Sequence, residues 1–333
     1  MSVATLLIII QRAIFVGTPL LFGAIGEIIT EKSGNLNLGM PGIMYTGAIS
    51  GAIGGFLYQS SVARVNPALA IIIPLLCAIV GSLLVSLIYC ILTITLRANQ
   101  NVTGLAITTF GVGCANLFGG SVVKIIKSDA PFFTFVDIAK VYNKPLPIVE
   151  YLPEKTPEII KILLSYGFMV YVALILAIIA TVIINRTRVG LNLRAVGENP
   201  ATADAAGINV LRYKYVATCV GGVIAGLGGF CYVLGNSNGT WAHGALGDKG
   251  WLAIAIVIFA TWKPVYAIFG SYFFGALYIL FNYLDNIPMT FIPLLKMLPY
   301  VATIIVLIVV SLRKKRENQP PASLGLSYFR EER

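Results

Sequence analysis

The sequence predicts an all-α polytopic membrane protein of about nine (8–10) transmembrane helices. Three observations carry this. The 333 residues are 57% hydrophobic and 11% charged, where soluble domains carry roughly 25% charged residues. Mean hydropathy is +0.85, and the charge deficit runs the whole length. The apolar runs are long and continuous instead of alternating, which selects helices over a barrel among the two structures that satisfy their backbone in lipid.

The runs fall at 13–30, 40–58, 67–96, 101–124, 163–185, 215–235, 250–262, 264–284 and 299–312. Most approach the roughly 20 residues that cross a 30 Å hydrocarbon core. The 250–262 run is short, so it forms a half-helix or begins near Leu246. The first twelve residues leave room for a separate short helix ending at Gln11-Arg12. Met1 to Ser33 lacks the basic start and small-residue site of a cleaved signal.

Charge placement predicts orientation. The 313–333 tail carries Arg313, Lys314, Lys315, Arg316, Arg330 and Arg333, and the 186–214 segment carries Arg186, Arg188, Arg194, Arg212 and Lys214. Four predicted spans separate them, so both face one side, and the positive-inside bias makes that side the cytoplasm. The 126–163 segment, with Pro145, Pro147, Pro153 and Pro157, is then an extracellular, partly extended cap. The domain reading is a permease domain over 1–312 with these two loops, followed by a basic cytoplasmic tail over 313–333. The net charge of +10 is explained by this placement, and no nucleic-acid partner is expected.

Several function classes lose support. One histidine, His243, argues against a His-rich metal site, and no metal or cofactor is expected. No P-loop appears, so ATP chemistry is not expected. The five cysteines all lie in apolar runs and read as small core residues. The spans are nearly free of charge away from their ends, where a self-sufficient ion-coupled carrier needs ionisable groups. A stand-alone carrier or channel is therefore the weaker reading, and a membrane-embedded enzyme lacks a catalytic cluster.

Glycines recur at four-residue spacing, at Gly47, Gly51 and Gly55 and again at Gly222 and Gly226. Small residues so spaced let helix backbones approach closely in lipid.

Two polar islands interrupt the apolar runs. The first, Gly26 to Gly42, holds Glu27, Glu31, Lys32, Asn35 and Asn37 among Gly34, Gly39 and Gly42. It reads either as a well-capped turn or as a broken-helix element beside a path, its amides satisfying backbone at membrane depth. The second, 186–214, is too elaborate for a connector. Asn199 is a natural N-cap, Pro200 suits the first helical turn, residues 200–206 favour helix, and Gly207 suits the left-handed position after it. Arg194, Gly197, Glu198, Ala203 and Asp204 complete this candidate contact surface. The plainer alternative is an amphipathic loop held to anionic membrane lipid by Arg186, Arg188, Arg212 and Lys214.

Near the predicted extracellular ends, Asn236, Trp241 and His243 form a polar-aromatic patch on which a planar solute could stack, or simply an interfacial belt. Asn116, Thr108, Thr109 and Asn282 lie within spans and line a path or bond between helices.

The stretch Glu31-Lys-Ser-Gly-Asn-Leu-Asn-Leu-Gly-Met-Pro-Gly-Ile-Met44 resembles a signature of ABC-transporter permeases of the branched-chain amino acid and simple sugar group. Ala195 to Val210, followed by Tyr213-Lys-Tyr, resembles that group's cytoplasmic coupling loop, and residues 247–264 its next block. The Trp241-Ala-His and Pro299-Tyr segments resemble nucleoside-uptake permeases within the group. Pro41 stands where the pattern usually has Glu. The resemblance implies a type II importer fold in a bacterial plasma membrane and half of a translocation path, for nucleosides, or alternatively simple sugars or branched-chain amino acids. It also implies an ATPase subunit with two nucleotide-binding halves, a second similar permease subunit and an extracellular lipid-anchored substrate-binding protein. Under it, Arg194, Gly197–Pro200, Ala203, Asp204 and Gly207 contact the ATPase. Asn35, Asn37, Gly39, Gly42, Asn116, Asn236, Trp241 and His243 are candidates for the path.

Overall fold

A computed structural model of the chain describes residues 3–125, 132–147, 153, 157–283, 288–313 and 318–329. Among these, each of the nine apolar runs meets one helix. They are α1 (Val3–Glu31), α2 (Met40–Ser61), α3 (Pro67–Cys90) and α4 (Gln100–Ile125), then α7 (Phe168–Arg186), α10 (Val210–Gly235), α11 (Lys249–Phe259), α12 (Pro264–Ile279) and α14 (Leu298–Arg313). The shorter helices are α5 (Val136–Asn143), α6 (Glu158–Leu164), α8 (Arg188–Glu198), α9 (Pro200–Ala205) and α13 (Ile292–Lys296), and β1 (Phe132–Thr134) pairs with β2 (Thr240–Ala242). Five helices, α1, α3, α4, α7 and α10, are long and apolar enough to cross a bilayer.

Two boundaries left open by the sequence are resolved. The N-terminal residues do not form a separate helix, because α1 runs unbroken from Val3 through Pro19 to Glu31. The 250–262 run is a half-helix, α11, whose 11 residues span about 16 Å at 1.5 Å per residue. Thr261 and Trp262 adopt left-handed φ values of 49° and 55°, and Pro264 then starts α12 at a position where its missing N–H costs nothing.

Helices α1, α2 and α10 form the centre of the bundle. Their packing is set by glycine. A Cβ added at Gly47 of α2 would lie 2.5 Å from Gly226 Cα of α10, and one at Gly221 of α10 would strike the Gly26 carbonyl of α1. Such approach gains dispersion contacts where lipid offers no hydrophobic drive between helices. The outer helices show the converse pattern. On α3, Leu69, Ile72, Leu76, Val80 and Leu84 are all exposed, a stripe at helical spacing that faces lipid.

One end of the bundle is closed by the β1–β2 pair and α5, whose Phe133, Phe135, Ile138 and Tyr142 are buried. The other end carries α8, α9 and the 33–39 turn. The described part of the predicted tail is not a solvated basic extension. Residues 318–329 pack across this second end, against Gly197 and Gly34. Lys314, Lys315, Arg316, Arg330 and Arg333 lie outside the described residues, as do 126–131, 148–152 and 154–156 of the predicted cap.

The α2–α10 contact makes a direct prediction. Gly47→Val drives two methyl groups into the α10 backbone, and overpacking of this kind costs about 1–3 kcal/mol. Thermal unfolding of the purified protein in detergent should show a lowered midpoint, while Gly113→Val, at a glycine with open space around it, leaves the midpoint unchanged.

Candidate functional site

The 186–214 segment is more helical than the sequence predicts. Thr187 caps α8, its hydroxyl accepting from Gly190 N–H at 3.1 Å, and Gly190 lets α8 fold directly onto the last turn of α7. The chain breaks at Asn199, in extended conformation. The Asn199 Oδ1 accepts from Thr202 N–H at 3.0 Å, Pro200 occupies the first turn of α9, and Gly207 takes the left-handed conformation at φ 83°. Each of these local roles matches the residue type.

The helix faces differ from expectation in one respect. Ala203 does not point outward. It is buried with Val196 and Val210 in a small separate core, joined by Ile208, Tyr213 and Tyr328. The outer face of α9 is Ala201, Thr202, Ala205 and Ala206, all exposed and small. Glu198 is exposed, whereas Arg194 is half-buried and its Nε has no partner among the described residues. Gly197 is buried, packed against the Lys32 carbonyl so closely that a side chain has no room.

That contact joins α8 to the 32–39 turn. Here the chain leaves α1 and enters α2 in buried surroundings, and protein groups satisfy its backbone. Leu36 N–H donates to Gln100 Oε1 at 2.7 Å, the Tyr89 hydroxyl donates to the Leu36 carbonyl, and Thr108 Oγ1 donates to the Leu38 carbonyl at 2.7 Å. Asn37 N–H donates to Glu27 Oε1 at 3.3 Å and Asn37 Oδ1 accepts from Gly39 N–H at 3.0 Å. Asn35 Nδ2 donates to Thr218 Oγ1 at 3.1 Å, and Trp262 Nε1 donates to Glu31 Oε2. Gly39 and Gly42 lie against Ile107 and Thr108 of α4. Glu27, Asn35 and Asn37 are fully buried, and Glu27 Oε2, Asn35 Oδ1 and Asn37 Nδ2 have no hydrogen-bond partner among the described residues. Just outside α1, burial pushes the Lys32 ammonium below its usual range, and the nearby Glu198 carboxylate works against that.

The two islands are therefore one site. Sequence reasoning missed Gln100, Tyr89, Thr218 and Trp262, which come from four other helices or their ends. For Trp262 a signal existed, because Thr261-Trp-Lys-Pro264 is a helix stop that has to bring an indole somewhere specific.

At the opposite end the predicted patch separates. Trp241 is 2% exposed, its ring packed over Gly119 of α4, so it offers no face to a solute. Asn116 Oδ1 accepts from Gly244 N–H at 3.2 Å, and His243 is exposed on the turn after β2. Asn236 instead lines a cavity of about 460 Å³ with Arg12, Phe15, Tyr232, Tyr278 and Asn282. Beside it, Lys249 is buried, its Nζ donating to the Tyr278 hydroxyl at 2.5 Å and lying 4.4 Å from that ring's centroid. At the ends of the spans, which the charge-free reading sets aside, Glu27, Lys214 and Lys249 are buried.

Residues 9–310 match the model of the branched-chain amino acid transport system permease component family. The chain belongs to that family. Among its relatives are the nucleoside ABC transporter permease NupC of Lactococcus lactis subsp. cremoris, 32% identical over 92% of each chain, and the guanosine ABC transporter permease NupQ of Bacillus subtilis, 30% identical over 92% of each. A Haloferax volcanii protein named as a glucose ABC transporter permease, TsgC13, is 31% identical over 81% of this chain and 75% of its own. The chain is an ABC transporter permease, a multi-pass membrane protein of a kind that leaves ATP hydrolysis to another subunit.

The cap on α9 makes a local prediction. Asn199→Ala removes the Thr202 hydrogen bond at a cost of about 1 kcal/mol. Amide exchange over residues 202–205 should accelerate about fivefold, with exchange in α10 unchanged.

Proposed function

We propose that the chain forms half of the translocation path of an ATP-driven importer for nucleosides in a bacterial plasma membrane. The end carrying α8, α9 and residues 318–329 faces the cytoplasm, which makes the C-terminus cytoplasmic. An ATPase subunit with two nucleotide-binding halves docks there, a second similar permease completes the path, and a lipid-anchored binding protein delivers solute to the opposite end.

The observation that carries this reading is α9. It is a short, capped helix with a slim exposed face, in a chain that has no P-loop. Its inner face is keyed into Val196 and Val210, and α8 behind it abuts the 32–39 turn through Gly197. A push on the exposed face has a physical route to the helices, and the energy for the push has to come from another subunit. Arg186, Arg188 and Arg212 surround this end, in keeping with the positive-inside bias.

The substrate class rests on the relatives named for nucleosides and guanosine together with the cavity at the other end. Tyr232, Tyr278 and Phe15 supply aromatic surface for a planar base, and Asn236 and Asn282 supply amides for sugar hydroxyls. The relative named for glucose and the family description keep a sugar or branched-chain amino acid as the second reading. Among the described residues, no carboxylate lines the cavity to hold an amino acid's ammonium group.

Two experiments test this. Ala203→Pro loses the Ala203 N–H bond to the Asn199 carbonyl and breaks the first turn of α9. Membrane insertion should persist while ATP-driven uptake is abolished, and normal uptake by the inserted variant would refute the coupling role. In a deletion strain, labelled guanosine should be taken up in preference to ribose or leucine. Tyr232→Ala should raise the apparent KM for guanosine about tenfold, because stacking on an aromatic face is worth about 1–3 kcal/mol, and Tyr232→Phe should retain most affinity.

A further inference from the structure

The last described segment, residues 318–329, is a strap laid over the end of the bundle that carries α8 and α9. Its sequence, Asn-Gln-Pro-Pro-Ala-Ser-Leu-Gly-Leu-Ser-Tyr-Phe, contains no charge, in contrast to the basic residues on either side. Pro320 and Pro321 hold the entry extended, and Gly325 turns it at φ 80°.

The strap binds separate pieces of the chain at specific points. Asn318 Oδ1 accepts from Lys263 Nζ at 2.9 Å. The Ser323 N–H and Oγ both donate to the Gly197 carbonyl, at 3.0 and 2.6 Å. Gly325 N–H donates to the Gly34 carbonyl at 3.3 Å. The Leu326 carbonyl accepts from Gln100 Nε2 at 3.3 Å, and Ser327 Oγ donates to the Arg97 carbonyl at 3.4 Å. The Tyr328 hydroxyl donates to Asp204 Oδ2 of α9 at 2.7 Å, and its ring joins the core of Val196, Ala203 and Val210.

Helix α9 has six residues, far fewer than the roughly 12–15 at which an isolated helix is even marginal in water. Its stiffness has to come from what it is tied to. Among the described residues, Tyr328 is the one member of its small core that comes from outside 195–213. In the middle of the same strap, Ser323 and Gly325 hold Gly197 and Gly34 together. A Cβ at Gly34 would lie 2.6 Å from Ser323 Oγ, so the turn is shaped to let the strap pass.

We propose that residues 323–328 lock the coupling helix α9 to the α1–α2 turn, so that movement of α9 is delivered to the turn holding Asn35 and Asn37. The inference rests on the reading of α9 as the ATPase contact. Ser323 and Tyr328 are positioning residues in it. They touch neither solute nor ATP, and act by making α9, α8 and the turn one body.

The test uses the whole reconstituted transporter, with permease pair, ATPase and binding protein, in liposomes. The permease is truncated after Gln319, or carries Ser323→Ala or Tyr328→Phe. Three quantities are read: ATPase bound, ATP hydrolysed, and solute moved per ATP. The expected result is a truncated transporter that assembles and hydrolyses ATP but moves about tenfold less solute per ATP, the size of a typical coupling free energy. Wild-type transport per ATP by the assembled truncated complex overturns the inference. Should the truncation fail to assemble, the two hydroxyl deletions decide it, and wild-type ratios in both overturn it. Tyr328→Phe combined with Asp204→Ala should be no worse than Asp204→Ala alone, whereas fully additive losses count against a shared bond. Uptake by the wild-type complex without ATP would remove the coupling reading itself, and is distinguishable from failure of the strap alone.

Discussion

Backbone that leaves a helix within a membrane protein has no water to satisfy it, and the 32–39 turn is where this chain meets that constraint. Four of its backbone groups find side chains, and these come from all around: Glu27 from α1, Tyr89 from α3, Gln100 and Thr108 from α4. Leaving one such group unpaired would cost several kcal/mol in an apolar medium. The turn therefore fixes the relative positions of the helices that serve it. It also explains the glycines beside it, because Gly39, Gly42 and Gly197 remove the side chains that would hold the neighbouring backbones apart.

A turn bound this firmly is a good place to deliver force. Proteins transmit displacement through packed elements with few arrangements, and loosely tied ones dissipate it. The α8–α9 unit reaches the turn through backbone contact at Gly197 instead of through long, flexible side chains. Three polar atoms without a hydrogen-bond partner among the described residues, on Glu27, Asn35 and Asn37, lie at the same place.

The fold was legible in the sequence to the extent that it follows from hydropathy and local rules. All nine apolar runs became helices, and Asn199, Pro200 and Gly207 each took the capping or turn role that their chemistry favours. What composition concealed was the direction of side chains and long-range partnership. Trp241 looked like an interfacial aromatic because its neighbours are polar, yet Gly119 on α4 makes a slot that buries the ring. Ala203 looked like part of an exposed helix because alanine carries no signal of facing. Residues 318–329 looked like a tail because prolines, serines and glycine read as loop, and the bonds of Ser323 and Tyr328 go to residues more than 120 positions away. Periodicity cannot see such partners. The merging of the two polar islands into one site belongs to the same class of information.

Pro41 shows how one departure from a sequence pattern is absorbed. It occupies the first turn of α2, where a missing N–H removes no intrahelical bond, and Gly250 of α11 lies directly against it. An acid at this position would place a negative group at the positive end of the α2 dipole, a favourable arrangement worth about 0.3–1 kcal/mol at an exposed terminus. In this chain the carboxyl group arrives from another direction. Glu27 on α1 reaches Asn37 N–H, three residues ahead of α2, while Asn37 Oδ1 accepts from Gly39 N–H. The polar demand of the α2 N-terminus is thus met through the turn, and position 41 is released for close apolar contact with the half-helix α11. The same contact sets the half-helix that brings Trp262 to Glu31 against the start of α2, beside the turn.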